Sequence, residues 1–459
     1  MTALPLRQIL EDLPGAILES APEGELTLTS VTNDSRTARS GALFVALEAE
    51  RDGHDFIVHA IQQGARGVLA RRKVELSSLS NAQRAETAYV RVDDPLTALQ
   101  RLASAHRERI DAGIIGVVGS VGKTTAKQTI AHVLARRFRV YESPANFNSE
   151  IGLPIALLEV GPDVDRAVLE MGAYRVGELA TLCEIARPSA AILTTIGPTH
   201  LESFGSMQAI EQAKGEILDA LPESGLAVLN GDDQRLRRMA VRASCPVAWY
   251  GTGEHNVVRA VDIQSRGLAG TSFRLLYPGG EIAIDTSMIG RHSVYPCLAA
   301  AALALAEDIA VEEIAAALVS PPDLARLRPI PLAGGATLLD DTYNAAPISM
   351  NAALDVLAEY SGRRIAILGD MLELGEIAEE AHRAAGRRAA SAADIVWAVG
   401  SRARALGREA RLAGLLDVRF ADDVTEVTIK PQPGDLILVK GSRGQRMERL
   451  VQRLTSIPR

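Results

Sequence analysis

Short apolar runs rich in β-branched residues alternate with stretches of helical spacing along most of this chain. The clearest run is Ile114-Ile115-Gly116-Val117-Val118. Its apolarity is continuous rather than alternating, which predicts a strand covered on both faces. It breaks at Gly119-Ser120-Val121-Gly122 and resumes, through Lys123-Thr124-Thr125, with helical spacing over residues 126–134. Similar runs at 42–47, 68–70, 166–171 and 190–196 predict further buried strands, and helices are expected at 55–64 and 96–109. Residues 272–288 read as a hairpin about Pro278-Gly279-Gly280. After Pro321-Pro322 the rhythm restarts, with strands expected at 337–341, 364–369, 395–400 and 436–440.

Strands that alternate with helices predict α/β domains built on mostly parallel sheets. Chain breaks at Asp94-Pro95 and Pro321-Pro322 divide the 459 residues into three such domains. A small N-terminal α/β domain is expected at 1–93, a central domain with a mostly parallel sheet at 94–322, and a C-terminal Rossmann-like domain at 323–459. Composition adds limits. With 47% hydrophobic residues the chain can bury large cores, and only 4% aromatics means that Ala, Leu, Val and Ile fill them. A net charge of −8 argues against nucleic acid as a partner. The apolar stretch 296–306 is too short to span a bilayer. Three widely spaced cysteines, Cys183, Cys245 and Cys297, form neither a disulfide framework nor a metal motif. A cytoplasmic monomer with no membrane insertion is the expectation.

Strand, glycine turn, then Lys-Thr at a helix start is the layout of a phosphate-binding loop. Glycines let backbone N–H groups crowd a phosphate, and the helix N-terminus adds partial positive charge. The central unit therefore reads as a P-loop ATPase domain. Its spacing is the short Gly119-x-x-Gly122-Lys123-Thr124, because Val117 stands where the longer form has glycine. Mg²⁺ needs hard oxygen ligands: Thr124 offers a hydroxyl, and Glu170 a carboxylate at a strand's C-terminal end. His200 follows Gly197-Pro198 on the same rim, where ligands gather in open α/β sheets. It is either structural or part of the site.

Only six of the 49 basic residues are lysine: Lys73, Lys123, Lys127, Lys214, Lys430 and Lys440. Lysine kept where arginine is the default marks positions a guanidinium would not serve. Lys214 lies in a helical stretch near this rim. A free ammonium would repel Mg²⁺, whereas a lysine carbamate is an anionic oxygen ligand. Lys440 is a candidate anion or acceptor contact. Asp34-Ser35-Arg36 is a polar loop that reads equally as an anion contact or an Asx-type turn.

These residues resemble the Mur ligases, the ATP-dependent amide ligases of bacterial cell-wall precursor synthesis. Residues 119–124 match the family's short phosphate loop. Asn146-Phe147-Asn148-Ser149-Glu150-Ile151-Gly152 and Leu169-Glu170-Met171-Gly172-Ala173 match its next two motifs. His200-Leu201-Glu202 and Ala213-Lys214-Gly215-Glu216 match its metal histidine and carbamylated lysine. The later stretches Asp340-Asp341-Thr342-Tyr343-Asn344-Ala345, Gly369–Gly375 with His382, and Val439–Arg443 fit the branch that handles D-alanyl-D-alanine. The resemblance runs from about residue 31 to 454.

The resemblance implies ATP, two Mg²⁺ ions and a carbamate on Lys214 as cofactors. It implies a UDP-muramyl-tripeptide and D-alanyl-D-alanine as substrates. Lys123 would hold the transferring phosphate beside Gly119, Ser120, Val121, Gly122 and Thr125. Thr124 and Glu170 would hold one ion, and His200 with Lys214 the second. Asn146 would face the phosphates and Asn148 the substrate. Ser35 and Arg36 would contact the UDP portion. Arg326, Asp341 and Tyr343 would reach ATP from the third domain as that domain closes. One stretch departs from the family: its Gly-Arg-His-Asn-x-x-Asn adenine contact reads Gly290-Arg291-His292-Ser293-Val294-Tyr295-Pro296 here, and Tyr295 is the side chain that could stack on the base. A ligase with another acceptor and a non-catalytic nucleotide-gated binding protein stand as rivals.

Overall fold

The structure is a computed structural model that describes residues 3–144, 147–321 and 326–456. Among these the strands form three main sheets and one two-stranded ribbon, Leu4–Pro5 with Thr27–Leu28. The N-terminal sheet runs Ile17–Ser20, Ala88–Arg91, Ala65–Ala70, Ala42–Val45, Ser30–Thr32, with only the first pairing antiparallel.

The nine-stranded central sheet places Gly113–Val118 between Ala190–Leu193 and Arg166–Glu170, parallel to both. Val140–Glu142 lies outside Arg166–Glu170. On the other side follow Leu226–Asn230, Val247–Gly251 and Val258–Ser265, all parallel, then the antiparallel hairpin Thr271–Tyr277 and Gly280–Thr286. The run 114–118 is apolar throughout because both faces are covered. Ile114 and Val118 point into one core, and Ile115 and Val117 into the other, as the two-residue period of a strand requires. Four strands of this sheet are additional to those expected: Val140–Glu142, Leu226–Asn230, Val247–Gly251 and Val258–Ser265. Val140–Glu142 is short and Val258–Ser265 alternates with polar residues, whereas Leu226–Asn230 and Val247–Gly251 are five-residue apolar runs of the kind that predicts a strand.

Asp94-Pro95 opens the helix expected at 96–109. The helix spans Pro95–Arg107, and the Asp94 carboxylate accepts the N–H groups of Leu96 and Thr97 at 3.3 and 3.1 Å. An aspartate cap followed by proline at the first helical position is a strong initiator. The helix buries Ala98, Leu99, Leu102, Ala103 and His106. That face belongs to one continuous core, which also takes Leu4, Ile9, Leu28 and Val31 from the N-terminal domain and Leu153 and Leu182 from the central domain.

The C-terminal sheet is ordered Arg328–Pro331, Thr337–Asp341, Leu436–Lys440, Arg364–Gly369, Ile395–Val399, Asp417–Ala421, parallel except for the first pairing. Both outer strands are additional to the four expected. Its cores lie on its two faces and take one buried apolar side chain from the central domain, Ile289. The carboxyl ends of the central strands thus open toward the third domain.

Candidate active site

The phosphate loop is tightly pinned. Gly122 caps the helix Lys123–Leu134 in the left-handed region (φ 88°), where a Cβ is disfavoured. A Cβ on Gly119 would lie 1.9 Å from the Thr194 hydroxyl. The Ser120 N–H donates to the Thr195 carbonyl at 2.7 Å, and the Ser120 hydroxyl donates to the Gly197 carbonyl at 2.8 Å. The Thr194 hydroxyl donates to the Val121 carbonyl at 2.6 Å. Lys123 curls back over the loop, its ammonium donating to the Gly119 carbonyl at 3.0 Å. Burial lowers the Lys123 pKa; the Glu170 charge opposes that shift and the Arg326 charge adds to it. Arg326 of the third domain therefore acts on the phosphate loop.

Glu170 is only 5% exposed. One carboxylate oxygen accepts the Thr124 hydroxyl at 2.8 Å and the other the Asn148 amide at 3.0 Å. Its own backbone N–H donates to the Ser143 hydroxyl at 3.1 Å. No ion pair to Glu170 forms among the described residues. A buried carboxylate held by neutral donors, with a threonine hydroxyl beside it, is a donor set that fits a hard divalent cation. Lys127, almost fully buried, donates to the Ser143 carbonyl and pairs with Glu142 at 3.2 Å. It anchors the segment that anchors Glu170. The rarity of lysine in this chain is the sequence signal for it.

His200 lies on the same rim, at the end of the segment that pins Ser120. Its Nδ1 is bonded to the Glu373 carboxylate of the third domain, and the Tyr174 ring meets it edge-on at 4.4 Å. Lys214, in the helix Met207–Ala220, is 2% exposed. Its ammonium makes no hydrogen bond or ion pair among the described residues; the Phe204 ring lies 5.9 Å away. Burial, then the charge of Lys123, brings its pKa down to about 7. An amine neutral near pH 7 is nucleophilic enough to add CO₂, so this site fits a carbamate.

The third domain faces this rim with an aromatic side chain between two cations. The guanidinium carbons of Arg326 and Arg443 lie 4.2 and 5.3 Å from the centre of the Tyr343 ring, within cation–π range. The charge of Glu170 acts on Tyr343. Asp341 does not face an open cleft. It is buried and takes the ammonium of Lys440, which also donates to the Asn344 carbonyl at 3.0 Å. Lys440 is 0% exposed, so the sequence expectation of an anion or acceptor contact is corrected. Its charge is spent inside the domain, because a buried ammonium needs a partner to stay charged.

Tyr295 donates its hydroxyl to the Asp232 carboxylate at 3.0 Å. That carboxylate also accepts Thr252 and Gly253 N–H groups at 2.6 and 2.9 Å. In the N-terminal domain Asp34 forms the Asx turn, accepting the Arg36 N–H at 2.9 Å, and also holds the Arg36 guanidinium at 2.6 Å. Ser35 is buried against His59 Nδ1 at 3.0 Å. Asn146 lies outside the described residues.

Three α/β domains around a short phosphate loop, with a buried carboxylate and cations converging from the third domain, define a nucleotide-dependent enzyme of the ligase type. Family models match along most of the chain: the Mur ligase family catalytic domain at residues 27–107, the Mur ligase middle domain at 117–304, and the Mur ligase glutamate ligase domain at 325–443. The chain belongs to the Mur ligase family. It is 35% identical over 466 residues to the UDP-N-acetylmuramoyl-tripeptide--D-alanyl-D-alanine ligase of Escherichia coli K12, with 99% of each chain covered. It is 35% identical over 469 residues to the Bacillus subtilis 168 enzyme of the same name, covering 99% of this chain and 98% of that one. Its structure superposes on MurF from Acinetobacter baumannii with a TM-score of 0.86 at 30% identity, 99% of each chain being covered. MurF ligase from Thermotoga maritima, solved with ADP, gives a TM-score of 0.76 at 28% identity, covering 93% and 97%.

Proposed function

We propose that this chain is an ATP-dependent amide ligase that joins D-alanyl-D-alanine to a UDP-N-acetylmuramoyl-tripeptide by way of an acyl phosphate. The observation that supports the reading is the charge coupling of Lys123 and of Glu170, which holds Thr124, in the central domain with Arg326 and Tyr343 in the third. Full-length similarity to ligases of that name supports the choice of substrates.

Transfer of a phosphoryl group to a carboxylate brings like charges together, so it depends on positioning and charge neutralisation. Backbone N–H groups of Val121 and Gly122 and the helix N-terminus at Lys123 receive the phosphates, with Thr125 in the first turn, while Ser120 holds the loop in shape through Thr195 and Gly197. The Lys123 ammonium leaves the Gly119 carbonyl for the phosphate that moves. Thr124 and Glu170 would hold one Mg²⁺ ion, and His200 with a carbamate on Lys214 would hold a second; such ions would supply charge neutralisation for the transferring phosphoryl group. Arg326 and Arg443 add positive charge from the opposite wall. Tyr343 and Tyr295 contact the nucleotide, the latter with its hydroxyl fixed by Asp232. Asn148 orients the Glu170 carboxylate beside the substrate. Ser35 and Arg36 receive the UDP portion, which requires Arg36 to exchange Asp34 for phosphate. The D-alanyl-D-alanine amine then attacks the acyl phosphate, and the tetrahedral intermediate collapses to amide and phosphate.

The test is product analysis with ATP, the UDP-tripeptide and D-alanyl-D-alanine. Phosphate release and a new amide are expected only when both other substrates are present. ATP turnover without amide formation for any UDP-peptide would refute the reading. Labelled bicarbonate should give a carbamate carbon signal that disappears in Lys214→Arg.

A further inference from the structure

Among the described residues, seven non-glycine residues have a positive φ. Two of them face each other across the seam between the central and third domains. His200 sits at φ 55° and Glu373 at φ 64°. Left-handed backbone at a residue with a Cβ costs free energy and persists only where surrounding contacts enforce it. Here the contacts are mutual. The Glu373 carbonyl accepts the Glu202 N–H at 3.2 Å. The Glu373 carboxylate accepts from His200 Nδ1. Gly375, also at positive φ, brings its Cα edge against the Glu202 backbone, where a Cβ would lie 3.5 Å from the Glu202 Cα. The side chain of Glu373 is 52% exposed, so water alone could satisfy it. Its turn toward the histidine is a product of the backbone geometry.

We propose that Glu373 is a positioning residue by which docking of the third domain sets the metal-facing tautomer of His200. A carboxylate that accepts the Nδ1 proton leaves the lone pair on Nε2, and it fixes the plane of the ring. The Tyr174 ring at 4.4 Å limits rotation from the other side. The histidine belongs to the central domain and the carboxylate to the third, so this orientation exists only while the two domains are in contact. Domain contact and readiness of the metal site are thereby one event. The inference rests on the ligase reading only in taking His200 to face a cation.

The test is Mn²⁺ titration by electron paramagnetic resonance on the full chain with ADP present, together with small-angle X-ray scattering. Glu373→Ala should weaken Mn²⁺ binding ten- to hundredfold and enlarge the radius of gyration of the nucleotide-free protein. In the ligase assay kcat should fall by a similar factor, with KM for ATP within threefold. Glu373→Gln keeps an oxygen that accepts the Nδ1 proton and should recover most of the Mn²⁺ affinity. A Glu373→Ala protein with wild-type Mn²⁺ affinity and wild-type scattering would show a plain surface ion pair and overturn the proposal. Mn²⁺ binding and scattering need no turnover, so they report on Glu373 even if the proposed substrates fail.

Discussion

The two seams between neighbouring domains are built from opposite materials. Where the N-terminal and central domains meet, Leu4, Ile9, Leu28 and Val31 share one buried core with Leu99, Leu102, Leu153 and Leu182. A salt bridge from Arg109 to Asp12, 2.8 Å, lies at its edge. Where the central and third domains meet, two apolar side chains of the central domain among the described residues, Ile289 buried and Leu268 partly buried, join the neighbouring core. The position a Cβ would take on Gly197 lies 2.7 Å from the Ile348 side chain. The rest of the contact described above is polar: His200 and Glu202 against Glu373. An apolar seam loses its buried area when parted, so the first two domains behave as one body. Hydrogen bonds across the second seam can be exchanged for water at small net cost. The molecule is joined firmly where nothing reacts and lightly where substrates must enter.

The sharpest way to test this contrast is to damage each side separately. Lys123→Ala removes the cation of the phosphate loop at the polar seam. Single-turnover measurements should show phosphoryl transfer to the carboxylate slowed about a thousandfold, worth ~4 kcal/mol of transition-state stabilisation, with urea unfolding little changed. Leu99→Ala hollows the apolar seam instead. It should cost about 3 kcal/mol in urea unfolding while kcat stays near the wild-type value. If Leu99→Ala abolished turnover without loss of stability, the assignment of that seam to structure alone would fail.

The last test concerns Lys214, whose effect is spread over about three pH units. Its folded pKa of about 7 lies below the ordinary lysine value of 10.5. Between those two values the unfolded chain binds a proton that the folded chain does not. Stability contributed by this residue is therefore full above about 10.5 and is lost as pH falls toward about 7. In CO₂-free buffer Lys214→Met should make stability rise less steeply with pH between 7 and 10, by at most ~1.4 kcal/mol per pH unit. An unchanged slope would place the amine in contact with water.

Much of this was legible in the chain because it is local. Strand, turn and helix at 113–134 are set by neighbouring residues, and continuous apolarity reported a strand covered on both faces. Edge strands were harder to read. Arg328–Pro331 carries two prolines, tolerated at a sheet edge because no ladder N–H is needed on the open side. Asp417–Ala421 carries charge on one face, where Arg419 pairs with Asp417 at 2.7 Å and lies 5.6 Å from the centre of the Trp397 ring. Neither presents an apolar run. The rarity of lysine singles out Lys440, yet a partner 99 residues away, Asp341, consumes its charge.

The sequence by itself determined the phosphate loop, the alternation that builds parallel sheets, and the lysines worth inspecting, since each depends on residues close together in the chain. Tertiary structure alone decided which charges are spent and which are free. Lys214 stands without a counter-ion, Lys440 is neutralised, and Glu373 turns onto a histidine 173 positions away. Burial and pairing are properties of surroundings assembled from distant segments, and no local pattern records them.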